Sequence, residues 1–196
     1  MTPAIEPGEC LGRKLLIAGD VNTGKTTLAR RILQDFGERG LGARVAILDL
    51  APTIPPEIAR SRGVRGVGGT LEADPSSQAV RLRPLLQAPR LTSASEAEAA
   101  AKAQENLRRI EAAWQELPPR AILFVNDISM YLQAGTASEL VARLAAVETV
   151  VANGYLGERL GGGELTRHER AQMEQLRDWF AGVGRVLTLT TRHDPA

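Results

Sequence analysis

Five short runs dominated by apolar residues are spaced along the chain, without the alternation of a half-exposed strand. They lie at residues 14–18 (KLLIA), 44–50 (RVAILDL), 121–125 (AILFV), 149–152 (TVVA) and 185–189 (RVLTL). Runs of this length and composition are typical of strands that are buried on both faces. We therefore predict five strands and expect the first three to be buried.

Helical patterns alternate with these runs. A helix that starts at Lys25 and can end at Gly37 or Gly40 has one apolar face, made of Leu28, Ala29, Ile32, Leu33 and Phe36. Another begins at Thr166, which has capping-box spacing to Glu169. Residues 70–92 predict no clear element. Shorter patterns predict a helix at residues 139–146 and about one helical turn at 56–62.

The clearest helical pattern covers residues 93–117. Ser93 and Glu96 have the spacing of a capping box, and two prolines follow the last residue. Its apolar positions form a single seam, made of Ala100, Ala103, Leu107, Ile110, Trp114 and Leu117. Such a seam either packs on the protein's own sheet or binds a partner helix.

Strands that alternate with helices predict an α/β fold in three layers, with a mostly parallel central sheet. We assign a single domain to residues 14–190. Residues 1–13 contain two prolines and two glycines and predict a flexible leader. Residues 191–196 predict a frayed tail.

Composition and charge argue against several classes of protein. The 196 residues include 24 basic and 23 acidic side chains, a net charge of +1. This balance argues against a protein that coats polyanions, although it does not exclude nucleic acid as a partner. A single cysteine, Cys10, argues against a disulfide-stabilised secreted scaffold. Neither a membrane span nor a signal peptide is recognisable, so we expect a cytoplasmic protein. The sequence does not exclude a homo-oligomer.

Residues 19–26 read GDVNTGKT and follow the first predicted strand. Gly19 and Gly24 allow close backbone approach, and the loop N–H groups with those of the next helix form a cradle for phosphate. Lys25 adds a full positive charge, and the Thr26 hydroxyl can ligate Mg²⁺. The pattern G-x-x-x-x-G-K-[ST] therefore predicts a phosphate-binding loop.

This motif resembles the Walker A loop of P-loop nucleoside triphosphatases and kinases. The resemblance implies the three-layer P-loop fold, and Thr27 at the α-phosphate. It implies nucleoside triphosphate binding by Gly19, Asp20, Val21, Asn22, Thr23, Gly24, Lys25, Thr26 and Thr27. No N-K-x-D guanine signature is present, so we expect ATP with Mg²⁺, and GTP is not excluded.

Two aspartates end apolar runs. Asp127 follows AILFVN and resembles the family's acid on the magnesium side, whereas Asp49 follows VAIL. Both would emerge at the carboxyl edge of a parallel sheet, beside the phosphate loop. We predict Thr26 and Asp127 as the metal side, and Lys25, Asp49 and Asp127 as catalytic. Which aspartate faces magnesium stays open, and a cap or turn role remains the alternative for each.

Two glycine-rich segments are candidate loops over the site. Residues 153–170 contain Arg159, Arg167, His168 and Arg170, and such a segment could close as a lid over transferring phosphate. Residues 63–69 (GVRGVGG), with Arg65, could contact a second substrate. An ordinary solvated loop is the alternative for both.

Two finer resemblances point to different kinases. Residues 44–59, after the Walker A helix, are similar to a region of polynucleotide 5′-hydroxyl kinases. Residues 122–176 are similar in order to adenosylcobinamide kinase/guanylyltransferases. The guanylylated histidine of the second family has no counterpart, because residues 51–70 contain no histidine.

Three functions fit the sequence. The first is a small kinase that transfers the γ-phosphoryl group of Mg-ATP to an unidentified hydroxylated acceptor, with Asp49 at the acceptor. The second is a nucleotide-switched regulatory or assembly ATPase or GTPase acting through a protein partner. The third is a nucleotide-binding protein with little turnover.

Overall fold

The computed structural model describes residues 6–61 and 69–190. Six strands in this part of the chain form one sheet: β1 (Lys14–Gly19), β2 (Val45–Asp49), β3 (Val80–Leu82), β4 (Ile122–Asn126), β5 (Thr149–Tyr155) and β6 (Arg185–Leu189). Their order across the sheet is β3-β2-β4-β5-β1-β6, and each neighbouring pair runs parallel. The prediction of a mostly parallel sheet is confirmed.

Helices cover both faces of this sheet. They are α1 (Lys25–Glu38), α2 (Pro56–Ser61), α3 (Pro89–Thr92), α4 (Glu96–Glu116), α5 (Ala137–Ala145) and α6 (Glu164–Val183). Helix α1 packs on one face, where the Phe36 and Phe124 rings meet edge-on with centroids 5.8 Å apart. Helices α4, α5 and α6 cover the other face through Ile110, Leu140 and Phe180. The fold is therefore the predicted three-layer α/β architecture.

Alternate strand residues enter two separate hydrophobic cores. Leu16 belongs to the core under α4–α6, whereas Ile17 belongs to the core under α1, and neither side chain is exposed. Both faces of a strand therefore require apolar side chains, which explains the continuous apolar runs. No helix in the described ranges is long and apolar enough to span a bilayer.

The connections place a crevice at one edge of the sheet. After β1 the chain turns to α1 on one face, and after the adjacent β5 it turns to α6 on the opposite face. Chains that diverge in this way leave an opening beyond the carboxyl ends of the two strands. The loop at residues 19–26 lies at this opening.

Strand and helix limits differ from the sequence prediction in several places. Strand β3 was not predicted, because three half-buried residues at the sheet edge give no pattern. Strand β5 continues to Tyr155, because its last residues pair with Ala18 and Gly19. Helix α1 passes through Gly37 and ends at Glu38. The turn predicted at residues 56–62 is α2.

Two predicted capping boxes are wrong. Helix α4 is capped by Ser95, whose side chain accepts a hydrogen bond from the Glu98 N–H at 3.2 Å, so the S-x-x-E pair lies two residues later than expected. Helix α6 starts at Glu164 with Gly163 as its N-cap. Thr166 and Glu169 are both buried inside that helix.

The predicted leader and tail lie partly outside the described residues. Within the leader, Pro7–Cys10 form a 3-10 turn, and the Cys10 side chain is buried in the core under α1. Arg65 of the glycine-rich segment and residues 191–196 lie outside the described ranges.

Candidate functional site

A cleft of about 350 Å³ opens at the carboxyl edge of the sheet. We call residues 21–27 and Asp127 the near wall of this cleft. We call a second group of its lining residues the far wall: Pro89, Arg90, Met130, Gln133, Tyr155 and Leu160. Other residues, among them Arg30, Pro52 and Ile54, also line the cleft. Of the residues predicted to bind nucleotide, Val21 to Thr27 line this cleft, whereas Gly19 and Asp20 are not among its lining residues.

Backbone conformation shapes the loop at residues 19–26. Gly24 has φ +88° and directly precedes α1, without a side-chain cap on the helix N–H groups. A side chain at Gly19 could not fit, because its Cβ would lie 2.4 Å from the Leu189 carbonyl oxygen. The two glycines therefore permit a tight turn that leaves the first N–H groups of α1 open to the cleft, as an anion requires.

Lys25 extends from the start of α1 into the same cleft. Its ammonium donates to the Asp20 carbonyl oxygen at 2.5 Å. Burial lowers the pKa of Lys25, while the negative charges of Asp127 and Asp20 act in the opposite direction. A half-buried cation beside open N–H groups forms a strong site for phosphate oxygens.

Asp20 connects this loop to the segment after β5. Its carboxylate accepts from the Val21 N–H at 2.6 Å and from the Glu158 N–H at 3.2 Å. A Cβ at Gly157 would lie 2.4 Å from the Asp20 Cγ, so this contact requires glycine. The segment after β5 is thereby fixed against the phosphate loop.

Asn126, the last residue of β4, occupies the centre of a buried network. Its Oδ1 accepts from the Asn153 amide at 2.8 Å and from the Thr26 hydroxyl at 3.4 Å. Its Nδ2 donates to Asp49 at 2.7 Å and to the Gly69 carbonyl at 2.9 Å. Every polar atom of the Asn126 side chain is therefore paired, and Thr26 is held from behind.

Asp49 lies behind the cleft, with none of its surface exposed. Its carboxylate accepts hydrogen bonds from Arg81 at 2.5 Å and from the Asn126 amide at 2.7 Å. The N–H groups of Leu71 and Ala51 also donate to it, at 3.1 and 3.4 Å. The structure therefore brings Asp49 to Asn126 rather than into the cleft.

Asp127 is the only carboxylate among the described residues that line the cleft. Its backbone has φ +58°, and its side chain accepts from the Ser129 hydroxyl at 3.1 Å. Burial raises the pKa of Asp127, and the neighbouring Lys25 counteracts that shift. The structure thus places the two charged groups of the near wall, Lys25 and Asp127, at one site.

The oxygen atoms of the near wall suit a hard cation such as Mg²⁺. Thr26 and Asp127 supply a hydroxyl and a carboxylate, and the Asn126 amide oxygen lies beside Thr26. No group of three or more His, Cys, Asp or Glu side chains lies together within residues 6–61 and 69–190. Such a site fits Mg²⁺ that takes most of its ligands from water and phosphates.

Sequence reasoning missed the far wall. Arg90 lies on α3, in a segment without a recognisable pattern, and its guanidinium lies over the Tyr155 ring, 4.8 Å from the centroid. The Arg90 Nη1 is 2.8 Å from the Glu169 Oε2. Burial raises the pKa of the Glu169 carboxyl to about 7, although Arg90 lowers it. No sequence signal identifies Arg90, because its role depends on contacts from β5 and α6.

Two of the three arginines predicted for the lid, Arg167 and Arg170, donate to backbone carbonyls. Arg170 donates to the Gly157 carbonyl at 2.6 Å, and Arg167 donates to the Gly162 carbonyl at 3.1 Å. The His168 ring nitrogen lies 3.3 Å from the Gly135 carbonyl oxygen. Leu160 is the residue of this segment, beyond the end of β5, that lines the cleft. The arginine that reaches the far wall is therefore Arg90.

Comparisons with known proteins do not assign this chain to a family. No family model and no curated protein matches the sequence. A crystal structure of the flagellar accessory protein FlaH from Methanocaldococcus jannaschii is similar to this chain with a TM-score of 0.45 and 11% sequence identity. The similarity covers 94% of this chain and 75% of that chain. The function proposed for this chain therefore comes from its own residues.

Proposed function

We propose that this chain is a P-loop phosphotransferase that binds Mg-ATP and phosphorylates a small hydroxylated molecule. One observation carries the proposal: the cleft continues from the phosphate loop to a far wall of quite different composition. A hydrolase needs only water beyond the γ-phosphate. A cleft whose lining includes a second, partly apolar group of residues besides the phosphate loop suits a second substrate.

The near wall would hold the nucleotide. The loop N–H groups and Lys25 bind the β- and γ-phosphates, and Thr27 lies at the α-phosphate. Thr26 and Asp127 hold Mg²⁺, which when bound neutralises charge on the phosphate oxygens. Asp49, which the sequence suggested for the acceptor, acts here as a positioning residue that orients Asn126 behind Thr26.

The transfer step needs little covalent help from the protein. The acceptor hydroxyl oxygen bonds to the γ-phosphorus, and the bond between that phosphorus and the β–γ bridging oxygen breaks. ADP leaves, and the hydroxyl proton is released to water. Because the transition state is loose, positioning and charge stabilisation supply most of the catalysis. Lys25 provides a fixed positive charge for this purpose.

The regulatory ATPase remains the alternative, and the α4 seam is a surface that could bind its partner. Ala103 and Ile110 of this seam are buried, and Leu107, Trp114 and Leu117 are partly buried against the core under α4–α6, whereas Ala100 is exposed. Burial of most of the seam favours its packing on this chain's own sheet.

The nucleotide site is tested by Lys25→Ala. We expect affinity for Mg-ATP to fall about ten- to a hundredfold, because a charge-assisted contact contributes ~1.5–3 kcal/mol. The thermal midpoint should stay near wild type, since this side chain faces the cleft. Isothermal titration calorimetry measures the affinity, with the exposed Arg108→Ala as control. Equal affinity in Lys25→Ala and wild type would contradict the assignment.

The reaction is tested by an acceptor screen. ADP release is measured with Mg-ATP and a panel of small hydroxylated compounds. Release that depends on one class of compound supports the kinase. Slow release that only protein or nucleic acid accelerates supports the regulator. Tight binding without turnover supports a nucleotide-binding protein.

A further inference from the structure

We propose that the far wall is an acceptor subsite that selects a small molecule carrying both a hydroxyl and an anionic group. This inference rests on the proposed function and names its substrate class. Two buried side chains of the far wall, Arg90 and Gln133, carry the argument, because each has a polar atom without a hydrogen-bond partner.

Arg90 is fixed from two directions. Tyr155 supports the face of its guanidinium, and Glu169 lies 2.8 Å from Nη1 without hydrogen-bonding geometry. The Arg90 side chain is only 11% exposed, and it lines the cleft. A guanidinium has five N–H donors in a rigid plane. A fixed arginine whose donors are not all used is suited to bind a carboxylate or a phosphate.

Gln133 provides a second, independent observation in favour of a ligand. Its side chain is 3% exposed and lines the cleft, and its Oε1 has no partner. Its Nε2 contacts the Met130 sulfur at 3.5 Å, and the Gln133 side chain also lies beside the Glu169 carboxyl, whose pKa it lowers. Leaving a buried polar atom unpaired costs ~1–3 kcal/mol, so such atoms in native proteins call for an explanation. A ligand hydroxyl that donates to Oε1 would remove this cost.

The two groups also suit the transfer chemistry. Gln133 and Met130 lie in the 3-10 helix Ile128–Gln133, which directly follows Asp127, and all three residues line the same cleft. A hydroxyl bound at Gln133 is therefore held by the segment that also carries the carboxylate of the near wall. Arg90 lies on α3, from a different part of the chain. An acceptor held at both ends has its hydroxyl oriented rather than free to rotate, which is how positioning contributes to rate.

The experiment first saturates the nucleotide site. Wild type is titrated with the non-hydrolysable analogue AMPPNP and Mg²⁺, and absence of binding would count against the proposed function itself. The saturated protein is then titrated with glycolate, acetate, glycolamide and inorganic phosphate. Saturable shifts of the thermal midpoint report binding. We expect glycolate to bind more tightly than acetate or glycolamide. The titration with inorganic phosphate shows whether the subsite prefers a carboxylate or a phosphate.

Substitutions assign the two contacts. Arg90→Gln should weaken glycolate at least tenfold and bring it to the level of glycolamide. Gln133→Leu should weaken glycolate about three- to tenfold, to the level of acetate. Arg108→Gln, on an exposed helix face, should change neither. The double variant Arg90→Gln/Glu169→Gln keeps the pair neutral should the single variant fail to fold, and the same loss of glycolate binding is expected.

Three results would overturn the subsite. The first is that none of the four compounds shifts the midpoint of the nucleotide-loaded protein in a saturable way. The second is that glycolate binds wild type and the Arg90 variants equally. The third is that Arg90→Gln weakens AMPPNP but not ADP, because Arg90 would then serve the γ-phosphate and not the acceptor.

Discussion

Two buried polar networks flank the cleft, and they differ in how fully their atoms are paired. Behind the near wall, the carboxylate of Asp49 accepts four hydrogen bonds, and both polar ends of Asn126 are fully used. At the far wall, Arg90, Gln133 and Glu169 all have buried atoms without partners. Within the first network the unpaired buried atom is Nε of Arg81, at its outer end.

The difference separates positioning from binding. A buried network in which nearly every polar atom is paired is rigid, and its members hold neighbours such as Thr26 in one place. A network with unpaired atoms is costly to the free protein, and it gains most when a ligand supplies the missing partners. The near side therefore has its geometry fixed before substrate arrives, whereas the far wall is completed by what binds there.

The largest expected effect is on the paired network. Asp49→Ala should lower the free energy of unfolding by about 3–5 kcal/mol, because Arg81 loses its buried partner and three further donors are left unpaired. Denaturant unfolding measures the change. Asp178→Ala, which removes an exposed carboxylate paired with Arg177, should stay within about 0.5 kcal/mol of wild type. A cost below about 1 kcal/mol for Asp49→Ala would show that the pairing contributes little to stability.

The two networks also differ in how far the sequence could predict them. The eight-residue motif and the apolar runs define the phosphate loop and five of the strands, because both are local patterns. The rule that parallel strands end at one edge places Asp127 and Asn126 at the cleft. The function of Asp49 could not be predicted, because it depends on Arg81 from the unpredicted β3. Arg90 likewise depends on Tyr155 and Glu169, which lie far along the chain.

The next largest expected effect is the pH dependence of stability that comes from Glu169, the carboxyl beside Arg90. Burial raises the pKa of Glu169 to about 7 in the folded protein, above the ordinary value of 4.5 for an unfolded chain. The stability linked to the proton of Glu169 is therefore fully present below about pH 4.5 and is lost as the pH rises through 7. Wild type should lose up to about 3 kcal/mol relative to Glu169→Gln between pH 5 and pH 8.

Denaturant unfolding of both proteins across this pH range gives the measurement. Glu169→Gln serves as the baseline for wild type, because every other titrating group is common to the two proteins. The loss of the Arg90 partner lowers the stability of Glu169→Gln by an amount that does not depend on pH. A difference that stays constant from pH 5 to pH 8 would mean that Arg90 keeps Glu169 ionised throughout, and the far wall would then resemble the near network.

The smallest expected effect is that of Gln133→Leu, and it distinguishes the two networks most clearly. Gln133→Leu removes a buried amide that has one unpaired oxygen and one weak contact to sulfur, and it leaves a side chain of similar size. We expect the free energy of unfolding to stay unchanged or to rise by up to about 1 kcal/mol, because an unpaired polar group is replaced by an apolar one. Thermal and denaturant unfolding without ligand measure this change. A loss of about 2 kcal/mol or more would mean that Gln133 is held by the fold, and its unpaired oxygen could then no longer be explained by a ligand.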